Sequence, residues 1–85
     1  MSDDDRRTEA HHLDVTVWVG KEGIGSVAEE LRTQLEDRSM VKVKFLRAAR
    51  AGTSIDTLAD SLAEATDASV FETRGNTAVF YRDGD

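Results

Sequence analysis

Eighty-five residues with a net charge of −6 and no cysteine describe one small domain, with neither a disulfide framework nor thiolate chemistry. Hydrophobic residues at 39 % and charged residues at 33 % give a soluble globular balance, and no apolar run approaches the roughly 18–20 residues of a membrane span. The acidic, polar N-terminus does not read as a secretory signal, so the expected location is the cytoplasm, and the negative charge argues against indiscriminate affinity for nucleic acid.

Residues 1–12 are polar and without periodicity, and they read as a flexible acidic tail. His11 and His12 are adjacent and cannot share one face of a helix or strand, which argues against a metal site there. Leu13 to Val19 reads as a strand, with Val15, Val17 and Val19 facing a core and Thr16 and Trp18 on the other face. Trp18 there is a candidate for stacking on a base. The competing reading is a tryptophan covered by a neighbouring segment or by the N-terminal residues.

Gly20-Lys21-Glu22-Gly23 then forms a glycine loop carrying one lysine and leading into a helix. Glycines let an anion approach the backbone N–H groups, the helix start favours negative charge, and lysine adds a full positive charge. The helix is expected from Ser26 to Asp37, with Ser26 and Glu29 as a capping box and Ile24, Val27, Ala28, Leu31 and Leu35 as its buried stripe. Its acids form a solvated face.

Met40 to Arg47 is the clearest strand, with Val41, Val43 and Phe45 pointing one way and Lys42 and Lys44 the other. A lysine pair also suits an exposed sheet edge. Arg47 and Arg50 carry the positive charge into the following loop, and no acidic residue lies between Met40 and Gly52. A second helix is expected from Ser54 to Thr66, capped by Thr53 or Ser54, with Asp56, Asp60 and Glu64 along one face. Ser69 to Arg74 and Thr77 to Arg82 flank Gly75-Asn76 as a β-hairpin with a two-residue turn, which sets Arg74 beside that turn. Residues 83–85 read as a short tail.

The order β-α-β-α-β-β implies an α+β two-layer sandwich of the α/β kind over residues 13–82. A mixed four-stranded sheet carries two helices on one face and ends in a C-terminal hairpin. The other face would be partly open, and the open part would hold Trp18, Lys42 and Lys44. Eight arginines against three lysines and an estimated pI of 4.8 fit either a protein of salt-loving cells or an ordinary acidic protein.

Val19-Gly20-Lys21-Glu22-Gly23-Ile24, the lysine strand Val41-Lys42-Val43-Lys44-Phe45 and the closing Val79-Phe80-Tyr81-Arg82 resemble the CRM domain, or YhbY-like, family. The resemblance implies an RNA-binding domain linked to ribosome maturation, with a fold like the C-terminal domain of the bacterial initiation factor that guards the small subunit. It implies that Gly20, Lys21, Glu22 and Gly23 stand at the family's Gly-Lys-x-Gly loop, which is compared with the backbone-gripping loop of KH domains. It likewise sets Lys42 and Lys44 on the family's lysine-bearing strand. Two departures stand out: the family's helix before the first strand is not expected here, and Glu22 puts an acid in the loop.

The expected function is binding without chemistry. It is that of an RNA-binding accessory protein contacting ribosomal RNA or a pre-ribosomal particle in large-subunit assembly, through Gly20, Lys21, Glu22, Gly23, Lys42, Lys44, Arg47, Arg50 and Arg74. The alternative is a protein-interaction module that docks its acidic helix on a basic ribosomal protein. No Ser–His–Asp set, metal-ligand spacing or GxxxxGK[ST] loop points to an enzyme. No cofactor, metal or small-molecule substrate is expected, and the expected state is a monomer.

Overall fold

A computed structural model describes residues 3–82. Its helices are α1 (Asp3–His12), α2 (Ala28–Asp37) and α3 (Ile55–Thr66). Its strands are β1 (Val15–Val19), β2 (Met40–Phe45), β3 (Ser69–Arg74) and β4 (Thr77–Tyr81), and short 3-10 turns span Ile24–Ser26 and Arg47–Arg50. The strands form one mixed sheet in the order β1-β2-β4-β3. The crossover through α2 makes β1 and β2 parallel, whereas β4 is antiparallel to both neighbours.

The period-two apolar pattern decides which face the helices cover. Val17, Val19, Val41, Val43, Phe45, Ala78 and Phe80 are buried from the sheet side against Leu31 and Leu35 of α2 and Ala59, Leu62 and Ala63 of α3. Burying a side chain the size of Phe80 or Leu31 contributes about 1.5–3 kcal/mol each. Two bulges interrupt the alternation. One falls between Val15 and Val17, the other between Val70 and Glu72. The first lets the Thr16 hydroxyl donate to Gln34 Oε1 of α2 at 2.6 Å, so Thr16 does not share an outer face with Trp18.

The N-terminal segment corrects the sequence reading. Residues 3–12, expected within a flexible tail, form α1. Ala10 is only 1 % exposed and packs with Met40 and Val79 on the sheet face opposite α2 and α3, flanked by Leu13, Phe71 and Tyr81. Phe71 and Tyr81 meet edge to face with centroids 6.2 Å apart. Ser39 Oγ donates to Glu9 Oε2 at 3.0 Å and ties the helix to the start of β2. Among the described side chains of α1 only Ala10 is buried, with Leu13 packing just after the helix, too little to make a legible stripe. The expected tail 83–85 lies outside the described residues.

The helix starts divide likewise. Thr57 N donates to Ser54 Oγ at 3.2 Å, so Ser54 caps α3. No capping box forms at α2: Val27 occupies its N-cap, and Ser26 instead donates its hydroxyl to Gly23 O at 2.9 Å inside the 3-10 turn. At the other end of α3, Asp67 adopts φ 57°, and Ala68 N donates to Ala63 O at 2.9 Å to close the last turn.

Ala10→Asp places an unpaired charge between α1 and Met40. It is expected to lower stability by about 1–3 kcal/mol, read from the urea midpoint. A frayed segment would leave the midpoint unchanged.

Candidate nucleic-acid interface

At the end of β1 the chain turns sharply. Gly23 N donates to Gly20 O at 3.0 Å, which closes a four-residue turn with Lys21 and Glu22 exposed at its tip. Gly23 has φ 85° and ψ −179°, a conformation that side chains other than hydrogen rarely adopt. From there the 3-10 turn begins, with Ser26 N donating to Gly23 O at 3.3 Å and Val27 N to Ile24 O at 3.1 Å. Val27 is buried and Ile24 packs against the core, so the back of the loop is anchored while its tip faces water. The N–H groups of Lys21 and Glu22 donate to no backbone acceptor of the described chain.

Two backbone bonds gather other loops at the same end of the sheet. Leu46 N donates to Val19 O and Phe45 N to Asn76 O, both at 2.8 Å. The glycine loop, the Arg47–Arg50 turn and the Gly75-Asn76 hairpin turn therefore share one rim. Arg47 is exposed and Arg50 half-buried, with its Nε buried and without a hydrogen-bond partner.

On the sheet face away from α2 and α3, Trp18 pairs in register with Lys44, Lys44 with Thr77, and Thr77 with Arg74. One row thus crosses all four strands, next to the rim. Lys42 lies one row further in, between Val15 and Val79, with Glu72 at the far edge. The face expected to be partly open is open here, while α1 covers its other end around Met40 and Val79. Trp18 is 54 % exposed, and among the described residues the other large apolar side chain left in solvent is Leu46, at 39 %.

Charge separates between the two sides. Among the described residues the single ion pair joins Arg32 to Glu29 at 3.3 Å on α2, so Lys21, Lys42, Lys44, Arg47, Arg50 and Arg74 face no carboxylate at ion-pair distance. On α3, Asp60 and Glu64 are exposed, and Asp56 accepts from Thr73 Oγ1 at 3.0 Å. The structure thus brings together the sequence-predicted residues Trp18, Gly20, Lys21, Glu22, Gly23, Lys44, Arg47, Arg50 and Arg74, with Lys42 behind them. Sequence reasoning missed Leu46 and Thr77. Leu46 extends the alternation of Lys42 and Lys44 and was legible there; Thr77 depends on the register of β4.

Comparison with known proteins agrees with this architecture. The CRS1/YhbY (CRM) domain matches residues 3–82. The chain belongs to the CRS1/YhbY (CRM) family. The CRM family is one of RNA-binding domains, not of enzymes. The chain is 41 % identical over 76 residues to "Probable RNA-binding protein MJ0652" of Methanocaldococcus jannaschii, a match covering 89 % of this chain and 57 % of that protein. It is 30 % identical over 78 residues to "Probable RNA-binding protein YqeI" of Bacillus subtilis, covering 91 % of this chain and 79 % of that protein. The chain therefore spans little more than half the length of the first of these relatives. The solution structure of the hypothetical protein SAV1595 of Staphylococcus aureus, a candidate RNA-binding protein, superposes with a TM-score of 0.76 at 28 % identity, over 98 % of this chain and 85 % of that one. With α1 in place, the CRM helix expected to be missing before the first strand is present.

Gly23→Ala is expected to cost about 1–3 kcal/mol through backbone strain alone, since an added Cβ would meet nothing within 4 Å. Gly25→Ala, whose φ is not positive, should stay within about 0.5 kcal/mol of the parent chain. Comparing the two urea midpoints isolates the conformational demand of the loop.

Proposed function

We propose that this chain binds RNA at the glycine-loop rim of its sheet, and that the RNA is ribosomal, contacted during assembly of the large subunit. The observation that carries the reading is the set of six cations at or just behind that rim with no carboxylate partner among the described residues, on a chain whose net charge is −6. An acidic protein that leaves its basic residues unneutralised on one side offers them to an external anion. The exposed N–H groups of Lys21 and Glu22 suit a phosphate oxygen, and the Lys21 ammonium adds charge beside them. Lys42, Lys44, Arg47, Arg50 and Arg74 extend the contact along the backbone. Nothing in this mechanism makes or breaks a bond, and it needs no cofactor. The ribosomal target is argued from the resemblance to the CRM family; the site of action we propose is the cytoplasm, with the chain acting as a monomer.

A second reading has an observation of its own. Asp60 and Glu64 stand exposed on α3, away from the basic rim. A basic ribosomal protein could dock there while the fold serves as a scaffold.

The two readings separate by charge reversal. In filter binding with ribosomal RNA, the wild type should give a log–log salt slope of roughly −4 if all six cations meet phosphates, at about −0.7 per contact on unpaired RNA. Lys21→Glu should weaken binding evenly across RNA sequences and flatten the slope by at least about 0.7, and Lys42→Glu with Lys44→Glu by at least about 1.4. Asp60→Asn with Glu64→Gln should not weaken RNA binding. Binding that survives the lysine reversals rejects the rim as the RNA site.

A further inference from the structure

From the row across the sheet, we propose that the ligand of this face is unpaired RNA, with one base stacked on Trp18 and the neighbouring phosphates held by Lys44 and Arg74. The inference rests on the RNA reading above and adds the class of RNA.

The geometry is as follows. Trp18, Lys44, Thr77 and Arg74 are in register on four successive strands, on the face away from α2 and α3. At about 4.8 Å per strand, the row spans about 14–15 Å. Trp18 ends it on the β1 edge, two residues before Gly20, where the phosphate-binding loop begins. A strand gripped at that loop therefore has its adjacent base beside the indole. The ring is more than half exposed, although burying a tryptophan is strongly favourable and α1 already covers the other end of this face. Leu46, also exposed, links the end of β1 to the Arg47–Arg50 turn through its N–H bond to Val19 O.

Duplex RNA does not suit this arrangement. Its bases are stacked on one another, and it presents phosphates and groove edges, so the indole would gain nothing from it. An unpaired base presents its π-face, and cations without carboxylate partners flanking an aromatic ring are the arrangement that holds such strands. Thr77 Oγ1 donates to Arg74 O at 2.8 Å, which closes the hairpin end beneath the row and fixes where Arg74 starts. Glu72 lies one row behind, next to Val79, and leaves the row itself free of acid.

The chain has one tryptophan, so its fluorescence reports this site alone. The experiment titrates the full chain with a single-stranded oligoribonucleotide and with the same strand annealed to its complement, following tryptophan emission and the anisotropy of end-labelled RNA. Trp18→Ala and Trp18→Phe are followed by anisotropy, with unfolding midpoints checked against wild type. The single strand should quench the emission and bind at least about tenfold tighter than the duplex. Trp18→Ala should lose about ten- to a hundredfold in single-strand affinity and nothing on the duplex, and Trp18→Phe should recover most of the loss. Equal affinity for both RNAs with unchanged emission, or single-strand affinity unchanged in Trp18→Ala, overturns the stacking platform but leaves the RNA reading standing. Wild type that binds neither RNA overturns both.

Discussion

Strand β2 lies in the middle of the sheet, parallel to β1 and antiparallel to β4, and its register settles nearly everything else. Val41, Val43 and Phe45 are buried against the helices, which forces Lys42 and Lys44 onto the opposite face. A slip of one residue would drive two ammonium groups into a core with no carboxylate to receive them, at a cost far above that of losing a few contacts. The same register aligns Trp18 with Lys44 on one side, and Thr77 and then Arg74 on the other. The apolar half of β2 thus folds the protein and, by exclusion, builds its basic face.

Acidity and the proposed RNA binding are compatible because the charge is segregated. The acids of α2 and α3 face solvent on the helical side, whereas Lys21, Lys42, Lys44, Arg47, Arg50 and Arg74 gather at or just behind the sheet rim with no carboxylate partner among the described residues. Exposed ion pairs would add little to stability, so leaving these cations unpaired costs the fold almost nothing. The acidic side would repel a polyanion and so orient its approach. In concentrated salt, with a Debye length near 3 Å at 1 M, only contacts at the rim itself would count.

Much of this was legible in the chain. The alternation of β2, the Gly75-Asn76 hairpin, a cap at Thr53 or Ser54 and the apolar stripe of α2 follow from local chemistry, and they fix the layers. Gly20 to Gly23 was legible as a loop because glycine and lysine carry the signal themselves. Helix α1 was not legible, since its packing rests on distant partners: among its described side chains, Ala10 sits against Met40 and Val79, and Glu9 accepts from Ser39. The capping box at Ser26 failed because the Gly23 turn tightens into a 3-10 turn that takes the hydroxyl for its own carbonyl. The bulge that turns Thr16 toward Gln34, and the joining of three loops on one rim, belong to pairing between distant segments, which no local pattern encodes.

The most direct test of the account maps the surface that RNA touches. In an amide and indole NMR titration of the labelled chain with an unpaired ribosomal RNA fragment, the shifts should concentrate at Gly20 to Gly23, Lys44, Arg47, Arg74, Thr77 and the Trp18 indole, with α3 unmoved. Shifts gathered on Asp56, Asp60 and Glu64 of α3, with the rim silent, would contradict it.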